Sequence, residues 1–151
     1  MMRAFDRDRG EALWSMNPME NHRGPRGTNQ LGTTRHGWGY ILTRRHRSTP
    51  TGGEDTYHTV LFDVRTGDRA MPDLETSLRG ACALDVHPTL PLVVAGHPDG
   101  TIQMLNLTGT ILDTCPAFQH GGVSVVRCGQ RQIYAGSSRG ELCTLRWNAP
   151  Q

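Results

Sequence analysis

Seven histidines, four cysteines and one dense arginine cluster are the side chains of this sequence best suited to chemistry. Cys82, Cys115, Cys128 and Cys143 show no CxxC spacing, and no paired histidines accompany them at the separations a zinc site needs. Cys82 and Cys143 fall inside expected strands, where a thiol behaves as a small hydrophobe. His36, His46 and His58 surround a polar stretch, whereas His87, His97 and His120 fall at strand ends or turns. A metal held by the last three on one rim is conceivable; the sequence favours structural roles for them, and no metal or cofactor is expected. Ser124, Ser137 and Ser138 lack the glycine-flanked pattern of a hydrolase nucleophile. Neither a phosphate-binding GxxxxGK[ST] loop nor a strand-linked GxGxxG occurs. The sequence therefore reads as non-enzymatic. The sharpest interaction feature is Arg44-Arg45-His46-Arg47, which suits phosphate groups or an acidic partner. No aromatic residues are interleaved for stacking, and Glu54 and Asp55 follow closely, so nucleic acid is not the favoured partner.

The elements that must position these residues follow from composition. Apolar residues make 36% of the 151 and aromatics 6%, so the core is modest. The 18 glycines and 9 prolines cluster between apolar runs, which favours short strands joined by tight turns over a helical bundle. No sustained helical periodicity appears, and Arg9 to Met16 reads equally well as strand. All 16 basic residues are arginine, and they are unevenly spread: residues 1–50 carry a net charge of +5 and residues 51–151 a net charge of −3. No apolar run approaches membrane-spanning length and no export signal opens the sequence, so an intracellular location, cytoplasmic or nuclear, is expected.

Organisation comes from an internal repeat. Ala83 to Leu107 aligns without a gap on Val123 to Trp147 at an offset of 40 residues. The identities are Val86 with Val126, Ala95-Gly96 with Ala135-Gly136, Gly100 with Gly140, and Leu105 with Leu145. They occupy the points a strand–turn–strand unit needs, and such a period is that of a β-propeller blade. In the first copy, Cys82 to Val86, Leu92 to Gly96, Thr101 to Leu107 and Thr110 to Thr114 read as four antiparallel strands. His97-Pro98-Asp99-Gly100 supplies a hairpin turn. In the second copy, Val123 to Arg127, Gln132 to Ala135 and Glu141 to Trp147 repeat the order, with Ser138-Arg139-Gly140 at the turn. Upstream, Phe62-Asp63 and Phe5-Asp6 each mark a third strand, followed by fourth strands at Asp68 to Met71 and Glu11 to Met16. Trp38 to Thr43 reads as a second strand.

This pattern resembles the WD40 repeat. The resemblance rests on His120-Gly-Gly-Val123 ahead of a first strand, on Ala95-Gly96 and Ala135-Gly136, on Asp99-Gly100-Thr101-Ile102, and on Phe5-Asp6 and Phe62-Asp63 where that family has Trp-Asp. Phe5, Asp6, Phe62, Asp63, Gly96, Gly100, His120, Gly136 and Gly140 are the repeat positions it implies. The sequence departs from the pattern at Leu105-Asn106 and Leu145-Arg146, so the family's buried His/Asp network is expected to be incomplete. Gly10-Glu11-Ala12-Leu13-Trp14 also resembles the strand motif of quinoprotein-type propellers, without the rest of that repeat.

The expected architecture is all-β, a partial WD40-like propeller of four-stranded antiparallel blades. Residues 1–16 would belong to a first partial blade, 17–35 to a flexible linker, 36–76 to a degenerate blade with a long mobile loop at 44–58, 77–117 to a full blade, and 118–151 to a blade lacking its last strand. Propellers close with four to eight blades, so the sequence reads as a segment of a larger or shared propeller. The resemblance implies a protein–protein interaction scaffold whose partners are other proteins or further blades. Arg44, Arg45, Arg47, His97, Asp99 and Arg139 are the expected contact residues. The alternative is a phosphate- or RNA-binding module that uses the basic N-terminal half.

Overall fold

The computed structural model describes residues 2–16 and 27–147. They form twelve strands and one short helix in two compact units, Met1–Pro72 and Asp73–Gln151. All sheets among the described residues are antiparallel: one four-stranded, two three-stranded and one two-stranded.

In the first unit, β1 (Met2–Phe5) pairs with β2 (Ala12–Met16), and β3 (Gly27–Thr33), β4 (Trp38–Thr49) and β5 (Gly52–Asp63) form a second sheet in that order. The core is the inner half of β4 and β5, where Ile41, Leu42, Val60, Leu61 and Phe62 are buried. Each such side chain contributes about 1.5–3 kcal/mol of burial. Trp14 of β2 closes this core edge-on to Phe62, with ring centroids 5.6 Å apart, and its Nε1 donates to Val64 O at 2.7 Å.

Three expectations are corrected here. The stretch 44–58 is not a loop. β4 and β5 run in unbroken register from Trp38↔Asp63 to Thr49↔Gly52, leaving only Pro50-Thr51 as the turn. Its threonines and Tyr57 favour extended backbone, but both faces are solvated, so no alternation marks the strands. The linker assigned to 17–35 includes β3, which pairs along β4 from Gly27↔Arg44 to Thr33↔Gly39; residues 17–26 lie outside the described residues. The fourth strand expected at Asp68 to Met71 is reduced to one bridge, Phe62↔Arg69.

The second unit opens with α1 (Pro72–Ser77), which the sequence reading missed. Six residues are too few to show a helical period. Proline suits the first helical position, Asp73 and Glu75 favour the first turn, and Leu74 and the following Leu78 are fully buried. The turn at Gly109 lies against Asp73 and Ser77, which ties the helix to the second unit, Asp73–Gln151. β6 (Ala83–Val86), β7 (Leu92–Gly96), β8 (Thr101–Asn106) and β9 (Ile111–Pro116) make the four-stranded sheet. β10 (Val123–Cys128), β11 (Gln132–Ser137) and β12 (Leu142–Arg146) make a three-stranded one. The two sheets stack. A Cβ on Gly96 would sit 2.4 Å from Val123 Cγ1, so the close approach needs glycine there. Residues 148–151, expected to end the last blade, lie outside the described residues.

Candidate functional site

Two sets of contacts join the turns and sheets of the second unit, one at each end of the strands. At one end lies a buried lock. Asp85 Oδ1 accepts from Val86 N at 2.9 Å, and its Oδ2 accepts from Cys128 N, in the other sheet, at 2.7 Å. His87, only 2% exposed, accepts at Nδ1 from Thr89 N and Leu90 N at 3.1 and 2.9 Å. Its proton must therefore sit on Nε2, which donates to Gln130 O at 3.1 Å. The ring of Trp147 meets His87 edge-on at 5.5 Å. Both ring nitrogens are thus committed to protein atoms.

At the opposite end three turns are knit together. Val123 N donates to His97 O at 3.0 Å, Ser138 N to Gly122 O at 2.9 Å, and Ala117 N and Phe118 N to Gly100 O at 3.1 and 3.2 Å. The β7–β8 turn, the β9–β10 connection and the β11–β12 turn thereby form one rim. Gly100 adopts φ 88°, and a Cβ there would stand 2.3 Å from Phe118 O, so both conformation and space demand glycine. His97 Nε2 donates to Gln103 Oε1 at 2.9 Å. Asp99 Oδ1 accepts from Thr101 Oγ1 at 2.6 Å and from Thr101 N at 3.0 Å. Those bonds, Thr101's hydroxyl first, hold the Asp99 carboxyl below the usual carboxylate range, and His97 adds to the effect. In the next sheet the turn is closed differently: Ser137 Oγ accepts from Arg139 N at 3.2 Å and Glu141 N at 3.1 Å. The Arg139 stem runs alongside Gly121, with its exposed side chain on the rim next to exposed His120.

The structure therefore brings His97, Asp99, His120 and Arg139 to one rim and places His87 at the other end of the strands. The three-histidine convergence considered from the sequence does not form, because β6 and β7 are antiparallel and His87 and His97 follow their opposite ends. Among the described residues no group of three or more His, Cys, Asp and Glu side chains is arranged to hold a metal. Arg44, Arg45 and Arg47 lie in the first unit on the outer half of β4. Successive strand residues face opposite sides, so Arg45 and Arg47 share one face and Arg44 lies with His46 on the other. Acids stand opposite: Arg47 pairs in register with Glu54, and His46 Nδ1 lies 2.8 Å from Asp55 Oδ1.

The repeat positions Phe5-Asp6 and Phe62-Asp63 form the same turn. Asp6 Oδ1 accepts from Asp8 N and Arg9 N at 2.9 and 2.8 Å, and Asp63 Oδ1 from Arg65 N and Thr66 N at 2.7 and 3.2 Å. Asn106 Oδ1 does likewise for Thr108 N and Thr110 N at 3.1 and 2.9 Å. The sequence reading missed one feature, a concave pocket of about 520 Å³ lined by Gln130, Arg131, Tyr134, Arg146 and Trp147. The only trace of it in sequence is Arg131, Tyr134, Arg146 and Trp147 within residues 131–147.

No protein-family model matches the chain, and a search of curated proteins returns no match. Solved structures do resemble it. The computationally designed Ika4 protein is 14% identical, with a TM-score of 0.51 over 85% of this chain and 95% of its own. The computationally designed Ika8 protein is also 14% identical, with a TM-score of 0.51 over 96% of this chain, which spans about half (52%) of Ika8. BamB from Moraxella catarrhalis is 16% identical over 76% of this chain and 42% of its own, at a TM-score of 0.43. At these identities the likeness to the designed proteins concerns the fold alone.

Proposed function

We propose that the chain is a non-enzymatic protein-interaction scaffold, its sheets acting as WD40-like blades of a partial propeller. The rim carrying His97, Asp99, His120 and Arg139 is its contact surface. The observation that carries this reading is the backbone bonding between the three turns, which fixes loops of two sheets into one surface. A rim held in this way presents its side chains at little ordering cost, which is what a recognition surface requires. Exposed Arg139 is the fixed cation among the rim residues, and a peptide that sets an acidic anchor on it is the matching partner.

The test is selection from a random peptide library on the immobilised protein, followed by binding of the enriched peptides to rim variants. Acidic sequences should emerge, and Arg139→Glu should weaken them at least about tenfold, a loss of roughly 1.4 kcal/mol. Peptides that bind equally well to Arg139→Glu and His120→Ala would remove the rim from the proposal. The phosphate-binding alternative rests on the exposed Arg44 and Arg47, and it is weakened by Glu54 opposite Arg47 and Asp55 opposite the intervening His46. A steep fall in affinity for single-stranded RNA between low and moderate salt would favour it instead.

A further inference from the structure

The stacking of the two sheets in the second unit defines what an unstacked sheet face should look like. Leu145, on β12, faces the preceding sheet and lines a small cavity of about 110 Å³ with Ile102 and Met104 of β8. In the repeat alignment, Ile102 corresponds to Leu142 and Met104 to Thr144. Ile102 is 3% exposed, whereas Leu142 is 88% exposed, with Val125 at 42% and Tyr134 at 50% on the same face. Register confirms the shared face: Val125↔Gly136↔Leu142, and Tyr134↔Thr144 in the next row. The outer face of the β10–β12 sheet thus repeats, position by position, the face by which the β6–β9 sheet receives its neighbour.

The complementary half is also present. Phe62, at the position equivalent to Leu145, faces the sheet before its own, meeting Trp14 of β2. Phe5 holds the same position in β1. Its neighbour Ala4 pairs with Trp14, whose side packs on Phe62, so Phe5 lies on the opposite face; the register shifts between Ala4 and Phe5, and Leu13, before Trp14, is the extra residue of β2 at that bulge. Phe5 and Leu13 are 56% and 58% exposed. One end of the chain therefore presents a receiving face and the other an inserting face of a single packing mode. The β1–β2 sheet consists of third- and fourth-strand equivalents, which is the part that would reach Leu142.

We infer that these faces dock between copies of this chain, head to tail, with Phe5 and Leu13 of one copy packed on Leu142, Tyr134 and Val125 of a second. The contact is heterologous, so it closes into a ring or extends as a filament. This inference rests on sheet packing and not on what the rim binds.

Sedimentation velocity of the purified chain, its Phe5→Arg and Leu142→Arg variants, and their equimolar mixture tests it, with circular dichroism confirming that each variant is folded. The parent should associate and each variant alone should be monomeric. Mixing should restore a heterodimer, because one copy keeps its inserting face and the other its receiving face. A parent that stays monomeric at all concentrations, association that survives Phe5→Arg, or a mixture that remains monomeric would each overturn the inference.

Discussion

His87 shows how a single side chain can be structural while its residue type suggests chemistry. Its ring satisfies Thr89 N, Leu90 N and Gln130 O. Losing three partners at about 1 kcal/mol each, His87→Ala should cost about 2–3 kcal/mol, measured as a lower urea midpoint. Gly100 and Gly140 form a second contrast. Both have positive φ, 88° and 83°, but a Cβ at Gly140 meets nothing within 4 Å. Gly140→Ala should cost only the conformational penalty of about 1–2 kcal/mol. Gly100→Ala should cost clearly more, because Phe118 O is backbone and cannot step aside. Equal losses in the same denaturation assay would contradict this. The glycines were legible in the sequence because turn and spacing fix them. The roles of Asp85 and His87 were not, because their partners in the other sheet are main-chain atoms more than 40 residues away.

At the scale of the element, β4 and β5 divide into a buried inner half and a solvated outer ribbon. An isolated two-stranded ribbon is marginal by itself, and its His46–Asp55 pair is exposed, a class worth about 0–1 kcal/mol. Backbone amides of residues 45–49 and 53–56 should therefore exchange with deuterium far faster than those of Ile41, Leu42 and Val60. Replacing residues 45–56 by Asn-Gly should change unfolding free energy by no more than about 1 kcal/mol. A larger loss would mean that the ribbon supports the core. This ribbon also marks where sequence reading fails. Leu92 to Gly96 and Thr101 to Asn106 announce themselves by apolar runs around Asp99-Gly100, whereas 44–58 forms strands with neither face buried. α1 fails for another reason, since its evidence is two leucines and their burial, not a period.

At the scale of the whole molecule, the all-β antiparallel class was legible from glycine, proline and the 40-residue repeat. Stability against pH is a property of the same scale. Burial pushes the Cys82 and Cys128 thiols from 9.0 up to about 11, with Asp99 and Asp85 adding to the respective shifts. The folded state then holds these protons longer than the unfolded one. The stability these thiols contribute is fully present below pH 9.0 and should be lost as pH climbs toward about 11. Chemical denaturation across that range should show the decline, and Cys82→Ala with Cys128→Ala should flatten it; an unchanged slope would exclude these thiols as the cause. The lock between the stacked sheets has one further consequence, for how such a repeat can diversify. Asp85 and His87 grip Cys128 N–H and Gln130 O, main-chain groups that every residue type except proline carries. On the gripped side the Cys128 contact is purely main-chain, whereas Gln130 also accepts through Oε1 from Thr89 Oγ1 at 3.1 Å and Trp147 meets the His87 ring. Saturation mutagenesis should find position 128 more permissive than positions 85 and 87. Drift can therefore run on one side of each junction while the stack is kept, which is how two units with five identities in 25 positions share one architecture.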